Sequence, residues 1–385
     1  MKFLYSHRTR SADGQYIHIK ALSDALLAAG HDVVMAGPDV EDGQSAGAKK
    51  LSAGGRSRLR DKLPGAVYEC AEFGYSMISR RRLGALARSS TPDVLYERYN
   101  LYHHAGVDIA RAFNLPLILE VNAPLVDERM ANGELALPGW ARRSENAIWR
   151  AADHILPVTN VLAEIVRRAG VPDEKITVIQ NGVEPIFLQT VDASPIRQRY
   201  NLGGKLVLGF TGFVRDWHGV DRVLRFMASM ARDDLHLLLV GDGPERANLE
   251  SLAGSLGIGD HFTVTGVVQR PEMAAHVGAM DIALQPAVVP YASPLKLFEY
   301  MGQARAIIAP DQANIREVLQ DDVDALLFSQ DANDFDRKLK MLIDDEALRL
   351  RLGSAAKESL LRQELTWSAN ARRVEAIAEK LLREK

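Results

Sequence analysis

The sequence is poor in the features that mark secreted, membrane-spanning and nucleic-acid-binding proteins. Its single cysteine, Cys70, excludes an internal disulfide framework and favours a reducing compartment. No run approaches the ~20 apolar residues that span a bilayer, and charged residues follow Met1 too early for a signal peptide. The net charge of −3 gives no general attraction to nucleic acid. We therefore expect a cytoplasmic protein without a nucleic-acid partner.

Two motifs of familiar active sites are also absent. The loop after the first predicted strand lacks G-x-G-x-x-G, so the chain carries no dinucleotide-binding fingerprint. Ser293 and Lys296 have the S-x-x-K spacing of penicillin-recognising enzymes, but the accompanying S-D-N and K-T-G motifs do not occur. Both function classes are excluded on these grounds.

What the chain does contain is a regular alternation of short apolar strands and helical segments. A chain of 385 residues is longer than one hydrophobic core ordinarily organises. Its composition, with 47% hydrophobic and 25% charged residues, is typical of a globular protein. Strand–helix–strand units open both halves and predict an α/β fold with parallel sheets, in which residues 176–179 are the last strand of the first domain. We predict domains at residues 1–190 and 205–366, a linker at residues 191–204, and a C-terminal helix at residues 367–385 that packs back across the domain joint.

Residues 43–92 differ in charge from the rest of the chain, with ten basic and three acidic residues. A solvated face is one interpretation. The other is a surface for anionic lipid headgroups or a lipid-diphosphate acceptor, since each basic residue near such a membrane contributes ~1 kcal/mol. Residues 67–75 are predicted to form a strand or loop beneath this surface. The basic residues are Lys49, Lys50, Arg56, Arg58, Arg60, Lys62, Arg80, Arg81, Arg82 and Arg88.

The stretch YASPLKLFEYMG at residues 291–302 is the most informative part of the chain. Ser293 is a good helix N-cap, and Pro294 fits the first helical position, where its missing N–H costs nothing. A helix that starts here, through Leu295, directs unpaired N–H groups and the positive end of its dipole toward an anion.

Lys296 and Glu299 follow in this helix at a spacing that puts both on one side. A cation beside a carboxylate suits a ligand that carries both a diphosphate and a sugar diol. The alternative is a minor surface ion pair, worth a few tenths of a kcal/mol. The sequence therefore predicts a nucleotide-sugar site here, and a minor surface ion pair between Lys296 and Glu299 remains the alternative.

A second candidate anion site follows the predicted strand at residues 206–211. Gly212 and Gly219 bracket a strand-to-helix turn, which suggests a loop lying against a phosphate, although simple turn glycines are the alternative. Arg215 is suited to bidentate phosphate binding, and His218 is a candidate to assist it.

Four more candidates lie in loops near predicted strands, where α/β sheets bind ligands. Gly14 is predicted either to let an anion approach the backbone or to be a plain turn glycine. Asn122 is predicted either to contact a sugar or phosphate or to form a turn. Gly243 follows the strand at residues 235–240. Gln269 lies in a loop suited to hold a nucleobase by backbone hydrogen bonds.

Together these stretches resemble the retaining glycosyltransferases of the GT-B fold, specifically glycosyltransferase family 4. The resemblance covers nearly the whole chain and implies two Rossmann-like domains facing each other across a cleft, with the acceptor on the N-terminal domain and the donor on the C-terminal one. Its landmarks are residues 30–33, 179–183, 212–219, 239–244 and 293–301.

The resemblance also implies roles for the candidate residues. Lys296 and the loop at residues 212–219 would contact the donor diphosphate, and Glu299 the nucleotide ribose. Gly14 would approach the donor phosphates, and Asn122 the transferred sugar.

The chain departs from the family pattern in three places. Tyr291 replaces the first glutamate of E-x7-E, and Asn122 stands where many members have histidine. The commoner Gly-Arg…Lys-Gly loop has Phe213 and His218 in place of its arginine and lysine, which leaves Arg215 and Lys296 as the main cations.

The predicted function is transfer of a hexose from a UDP- or GDP-sugar to an acceptor hydroxyl with retained anomeric configuration, in polysaccharide or glycolipid assembly. Lys296 and Arg215 are the predicted catalytic residues, and the nucleotide sugar is a co-substrate rather than a cofactor. No metal is expected, because Asp321, Asp322 and Asp324 resemble D-x-D but follow a helix and are interpreted as a solvated turn. The expected partners are the donor, a glycan or lipid-linked acceptor, and the inner membrane face through residues 43–92. A non-hydrolysing sugar-nucleotide epimerase and a non-catalytic nucleotide-sugar sensor are the alternatives.

Overall fold

The chain divides into two compact units. The first contains Met1–Gln180 and Asn370–Lys385, and the second contains Asn181–Ala369. Each is built on one parallel sheet, which confirms the predicted α/β class. The structure is a computed structural model, and it describes residues 1–9, 14–38, 63–331 and 333–385.

This division differs from the predicted domain boundaries. Residues 191–204, predicted as a linker, lie within the second unit because they pack there, and Arg197 Nη1 donates to the Ala279 carbonyl at 2.8 Å. The C-terminal helix Trp367–Glu384 begins in the second unit and belongs to the first from Asn370 onward.

The sheet of the first unit has five strands, and all of its neighbouring pairs are parallel. The strands are β1 (Lys2–Ser6), β2 (Asp32–Ala36), β3 (Val94–Arg98), β4 (Leu117–Val121) and β5 (His154–Pro157), in the sheet order β2-β1-β3-β4-β5. The helices are α1 (Gly14–Ala28), α2 (Gly65–Ser90), α3 (Ala105–Phe113), α4 (Leu125–Ala131), α5 (Pro138–Ala151) and α6 (Asn160–Arg168). Strands β3, β4 and β5 are buried throughout, as expected for a parallel sheet covered on both faces.

The prediction of a strand or loop at residues 67–75 is wrong, because this segment lies in the long helix α2. Its inward residues follow helical spacing, but they are polar: Glu69, Glu72 and Ser76 are buried. Glu72 accepts two hydrogen bonds from Arg129, at 2.7 and 3.0 Å. A polar inward face shows no apolar periodicity, which is why the helix was not predicted.

The predicted strand at residues 176–179 runs beside β5 without forming a regular strand. Ile176 makes an isolated parallel bridge to Ile155, and the N–H groups of Thr177 and Ile179 donate to carbonyls of β5 at 3.0 and 3.1 Å. The backbone of the segment is therefore anchored to the sheet edge by these two hydrogen bonds rather than by a full ladder.

The second unit contains a six-stranded parallel sheet. Its strands are β6 (Leu206–Thr211), β7 (Leu235–Val240), β8 (Phe262–Val264), β9 (Ile282–Leu284), β10 (Ala306–Pro310) and β11 (Leu326–Phe328), in the order β11-β10-β9-β6-β7-β8. The helices are α7 (Ser194–Arg199), α8 (Val220–Met230), α9 (Arg246–Ser255), α10 (Arg270–Gly278), α11 (Leu295–Gly302), α12 (Ala313–Arg316), α13 (Asp334–Asp344) and α14 (Glu346–Arg362). They are followed by α15 (Trp367–Glu384), which belongs to the first unit from Asn370 onward. Within the described ranges, no helix has the length and apolar character needed to cross a membrane.

Two hydrophobic cores lie against this second sheet. Leu237 and Leu239 of β7 belong to one core, whereas Leu238 and Val240 belong to the other. This period of two is what places successive side chains on opposite faces of a strand. Both faces of the sheet are therefore packed, and the loops at its carboxyl edge remain for ligand binding.

The prediction that Asp321, Asp322 and Asp324 form a solvated turn is wrong for Asp324, which is 3% exposed. Asp324 accepts a hydrogen bond from Ser359 Oγ at 2.7 Å. Asp321 and Asp322 are exposed, as predicted, and they form ion pairs with Lys338 and Arg351, respectively. These carboxylates hold helices α13 and α14 against the β10–β11 segment, because all three are engaged by partners from those helices.

Candidate active site

The loop between β6 and α8 carries the first group of candidate residues. After Gly212, a short 3-10 turn at Asp216–His218 ends at Gly219, whose φ of 68° lies in the left-handed region that favours glycine. The Arg215 N–H donates to Nδ1 of the His218 ring at 3.0 Å. The imidazole thus fixes the conformation of the loop that presents Arg215.

Gly243 has a packing role in this region. The loop after β7 lies against the loop after β6, and the Val214 N–H donates to the Asp242 carbonyl at 2.9 Å. A Cβ at Gly243 would lie 2.1 Å from the carbonyl oxygen of Val214. Only glycine permits this approach of the two loops, whereas the predicted donor contact of Gly243 stays a prediction.

Helix α11 begins at Leu295, one residue later than the pattern predicts, with Pro294 at the N-cap position. Ser293 does not cap it, because the Ser293 hydroxyl accepts the backbone N–H of Asn181 at 3.1 Å. At the other side of the helix, the Thr211 N–H donates to the Tyr300 hydroxyl at 2.9 Å. These two hydrogen bonds fix α11 at the carboxyl end of β6.

Lys296 projects from the first turn of α11 onto the loop after β6. Its Nζ lies 3.6 Å from the centroid of the Phe210 ring, and a Cβ at Gly212 would be 3.7 Å from the same atom. Burial lowers the pKa of Lys296 to about 7, and Glu299 opposes part of this effect. A lysine whose pKa is lowered in this way gains charge when an anion binds beside it.

His218 lies within electrostatic range of both predicted cations. Burial lowers the pKa of His218 to about 3, with further lowering by Lys296 and Arg215. The ring is therefore neutral at pH 7, and because Nδ1 accepts a hydrogen bond, Nε2 carries the proton. Lys296 and Arg215 thus share one neighbourhood, where His218 offers a neutral N–H donor rather than a third charge.

Arg215 itself is exposed, and its guanidinium lies 5.4 Å from the centroid of the Phe213 ring. This arrangement orients the side chain by a cation–π contact while leaving its donors accessible. Arg215 is thus the accessible cation, in the loop after β6, and Lys296 is the half-buried cation, in α11.

Glu299 is the centre of a buried ion-pair cluster that the sequence did not reveal. Its Oε1 lies 2.6 Å from Nη1 of Arg270, which also forms an ion pair with Glu184. The Arg270 guanidinium stacks on the Phe187 ring at 4.7 Å. Burial raises the pKa of Glu299, and Arg270 opposes that rise, so one arginine holds two carboxylates in place.

The predicted site residue Gln269 is exposed and immediately precedes this arginine at the start of α10. Arg270 was missed because its partner Glu184 is 86 residues away in the chain. A charged residue beside a predicted ligand loop was the only signal available from the sequence.

In the first unit, Asn122 follows β4 and is held by a buried carboxylate. Its side-chain amide donates to Glu120, which also pairs with His18 at 2.8 Å and Arg98 at 2.5 Å. Although burial alone would raise it, the pKa of Glu120 is held well below its usual range by His18 and Arg98. Gly14 is the first residue of α1, and its predicted contact with an anion stays a prediction.

Two family models match the chain. The model described as Glycosyltransferase Family 4 matches residues 12–186, and the model described as Glycosyl transferases group 1 matches residues 192–359. Together they account for most of the chain, which belongs to this family of glycosyltransferases and has the GT-B fold.

Curated relatives of similar length support this assignment. A D-inositol 3-phosphate glycosyltransferase of Arthrobacter sp. is 25% identical over 94% of this chain and 88% of its own. A GDP-mannose-dependent alpha-mannosyltransferase of Mycolicibacterium smegmatis is 25% identical over 89% of this chain and 87% of its own. The chain is therefore a glycosyltransferase.

Solved structures share the fold at lower sequence identity. HepE of Anabaena, crystallised in complex with UDP, matches with a TM-score of 0.76 at 15% identity over 99% of this chain and 100% of its own. Sucrose-phosphate synthase of Thermosynechococcus elongatus matches with a TM-score of 0.77 at 18% identity over the whole of both chains.

Proposed function

We propose that the chain is a retaining hexosyltransferase that uses a nucleoside diphosphate sugar, either a UDP- or a GDP-sugar, in polysaccharide or glycolipid assembly. The observation that carries this proposal is the half-buried Lys296 ammonium beside Gly212, at the carboxyl end of β6. Related proteins support it, since the Mycolicibacterium smegmatis mannosyltransferase is GDP-mannose-dependent and HepE has been solved with UDP-glucose.

In this proposal, cleavage of the sugar–phosphate bond builds negative charge on the leaving diphosphate. Lys296, Arg215 and the neutral His218 N–H stabilise that charge more in the transition state than in the ground state. The acceptor hydroxyl attacks from the face that the diphosphate leaves, and the departing phosphate accepts its proton. The reaction needs no metal ion because these donors replace one.

Glu299 takes the nucleotide ribose in the same proposal. Its Oε1 is bound by Arg270, so Oε2 is the atom that we assign to a ribose hydroxyl. Arg270 is therefore a positioning residue for Glu299.

A donor panel tests the proposal. We expect a UDP- or GDP-sugar to raise the thermal midpoint, since a ligand at about 100 times its Kd stabilises by ~2.7 kcal/mol. Addition of an acceptor should then release free nucleoside diphosphate and give a product with the donor's anomeric configuration, as read by proton NMR. Conversion of one nucleotide sugar into another without an acceptor would identify an epimerase. Donor binding without sugar transfer to any acceptor would identify a sensor. Either result contradicts the proposal.

The pKa of Lys296 makes a prediction about donor binding. With a pKa of about 7 in the free protein, Lys296 is mostly neutral at pH 8 and must take up a proton when a diphosphate binds. We therefore expect uptake of close to one proton at pH 8, and an affinity that falls by up to about tenfold per pH unit above pH 7. Calorimetry in buffers of different ionisation enthalpy measures this uptake; if Lys296→Met shows the same uptake, the proton goes elsewhere.

We also propose peripheral contact with an anionic inner membrane face. Six basic residues of the 43–92 region lie outside the described residues, so the support comes from α2. There Met77 and Ile78 are 67% and 63% exposed, and the exposed Arg80 and Arg81 follow them. Apolar side chains beside cations suit an anionic lipid surface.

Vesicle sedimentation tests this contact. The wild type should bind phosphatidylglycerol vesicles but not phosphatidylcholine vesicles, and Arg80→Ala with Arg81→Ala should weaken binding about tenfold or more, since each cation contributes ~1 kcal/mol. Leu350→Asp, at another exposed apolar position, should change nothing. Equal binding to both lipids would contradict the proposal.

A further inference from the structure

The segment between β9 and α11, which we call the β9–α11 loop (residues 285–294), forms neither helix nor strand. Three buried side-chain amides hold it from the inside: Gln285, Asn314 and Asn181 are 1%, 2% and 6% exposed. Their NH2 groups donate to four carbonyl oxygens of the loop, those of Ala287, Val289, Ala292 and Ser293. The side-chain amides thus supply the hydrogen bonds that a helix or a sheet would otherwise give to this backbone.

Asn314, in α12, makes two of these hydrogen bonds. Its Nδ2 donates to the Val289 carbonyl at 3.2 Å and to the Ala292 carbonyl at 2.7 Å, so both amide protons are used on the loop. In a trans peptide group the C=O and N–H bonds point in opposite directions. Because the Ala292 carbonyl points to Asn314, the N–H of Ser293, in the same peptide group, points away from it.

Asn181 fixes Ser293 at two further atoms. The Asn181 N–H donates to the Ser293 hydroxyl at 3.1 Å, and Asn181 Nδ2 donates to the Ser293 carbonyl at 2.5 Å. The N–H groups of Ser293, Leu295 and Lys296 have no hydrogen-bond partner among the described residues. Three backbone donors are therefore available at the start of α11, where Lys296 adds its ammonium group.

The side-chain oxygen atoms of the same three amides are buried, and within the described ranges they have no hydrogen-bond partner. A buried acceptor without a partner destabilises a folded protein, so three of them around one loop need a reason other than stability. Groups that carry such a cost cluster at functional sites. The orientation of the peptide groups of the loop, which each amide fixes, is such a reason.

We propose that Asn181, Gln285 and Asn314 are positioning residues for the donor. They fix the β9–α11 loop so that N–H groups, and not carbonyl oxygens, face the diphosphate that Lys296 binds. A flipped peptide group would turn a carbonyl oxygen toward the diphosphate and repel it, whereas N–H donors already in place need no reorganisation when the ligand binds. This inference rests on the proposed function, to which it adds three residues that act through the loop.

Calorimetric titration of the full chain with UMP and UDP, or with GMP and GDP if these bind instead, tests the inference. The ratio of the monophosphate to the diphosphate dissociation constant measures what the second phosphate contributes, and it does not depend on the fraction of folded protein. Asn314→Leu keeps the side-chain size and removes both hydrogen bonds to the loop, so we expect this ratio to fall about tenfold or more. Gln285→Met removes one hydrogen bond and should lower the ratio about threefold.

Arg305→Met is the matched control. Arg305 immediately precedes β10, at the opposite edge of the same sheet, and its Nη1 donates to the carbonyls of Gly278 and Met280 at 3.1 and 2.9 Å. This substitution also removes side-chain hydrogen bonds to backbone carbonyls. We therefore expect the thermal midpoint to fall while the ratio stays within about a factor of two of the wild-type value.

An unchanged ratio in Asn314→Leu, or an equal fall in Arg305→Met, would overturn the inference. Gln285→Met decides the question if Asn314→Leu does not fold. If the wild type binds UDP or GDP while the ratio is the same in the loop variants, only the positioning role is wrong. If the wild type binds neither nucleotide, the proposed function fails and this inference fails with it.

Discussion

Lys296→Ala is expected to reduce kcat/KM for sugar transfer by about a hundredfold to a thousandfold while the second unit stays folded. The lysine is the half-buried cation beside Gly212, and removal of one preorganised charge at a developing anion typically costs about 3–4 kcal/mol of transition-state stabilisation. Stability should not fall, since burial disfavours the charged amine in the free protein. Initial rates with a nucleotide sugar and acceptor, together with the thermal midpoint, provide the measurement.

Lys340→Ala is the matched control for this experiment. Lys340 is an exposed lysine of the same unit that pairs with Asp344 four residues away, so its removal should leave the rate within a factor of two or so. Transfer by Lys296→Ala at close to the wild-type rate would refute the assigned role, whereas a loss accompanied by unfolding would assign Lys296 a structural role.

Arg270→Ala is expected to destabilise the second unit by about 2–4 kcal/mol at pH 8. This is less than the loss expected for a fully buried ion pair, because the Arg270 and Glu184 side chains are each about one quarter exposed. The substitution leaves Glu184 and Glu299 beside one another without the arginine that pairs with both of them. The folded-state pKa of Glu299 is already raised, and loss of Arg270 raises it further, so the penalty grows as the pH rises through that pKa. The midpoint of urea unfolding and hydrogen exchange in α11 measure the effect.

The same experiment at pH 5 should show a smaller loss, because a protonated Glu299 needs no cation. Adding Glu184→Gln to Arg270→Ala should restore part of the stability at pH 8. Arg199→Ala is the comparison: Arg199 and its partner Glu272 are both 51% exposed, and the midpoint of urea unfolding should barely change. If both arginine variants were equally stable at pH 8, the Glu299 cluster would not be the buried network described above.

Local chemistry explains why most of the fold could be predicted. The buried strands of both sheets are short apolar runs, and helix α6 is capped by the neighbouring Thr159, whose Oγ1 accepts the Leu162 N–H at 3.1 Å. Residues 67–75 of helix α2 were not predicted as helical because their inward face contains Glu69 and Glu72, whose partners come from distant parts of the chain. Apolar periodicity detects a helix only when its buried face is apolar.

The residues of the candidate site show the same contrast between local properties, which the sequence reveals, and contacts with distant segments, which it does not. The sequence alone identifies Lys296 and the glycine loop, because a residue's charge and a loop's place after a strand are local properties. It assigns a capping role to Ser293, but that hydroxyl binds Asn181, 112 residues away. A short polar side chain takes whichever partner the fold brings near, and this partner is not a local property.

By itself, then, the sequence determined the α/β architecture and the position of a cation at the start of α11, since both depend on residues close together in the chain. Only the tertiary structure decided that Lys296 has a pKa of about 7, that Arg270 joins Glu184 to Glu299, and that Asn314 holds the loop before α11. The physical reason is that burial and pairing depend on neighbours from distant segments, which converge only when the sheets and helices pack.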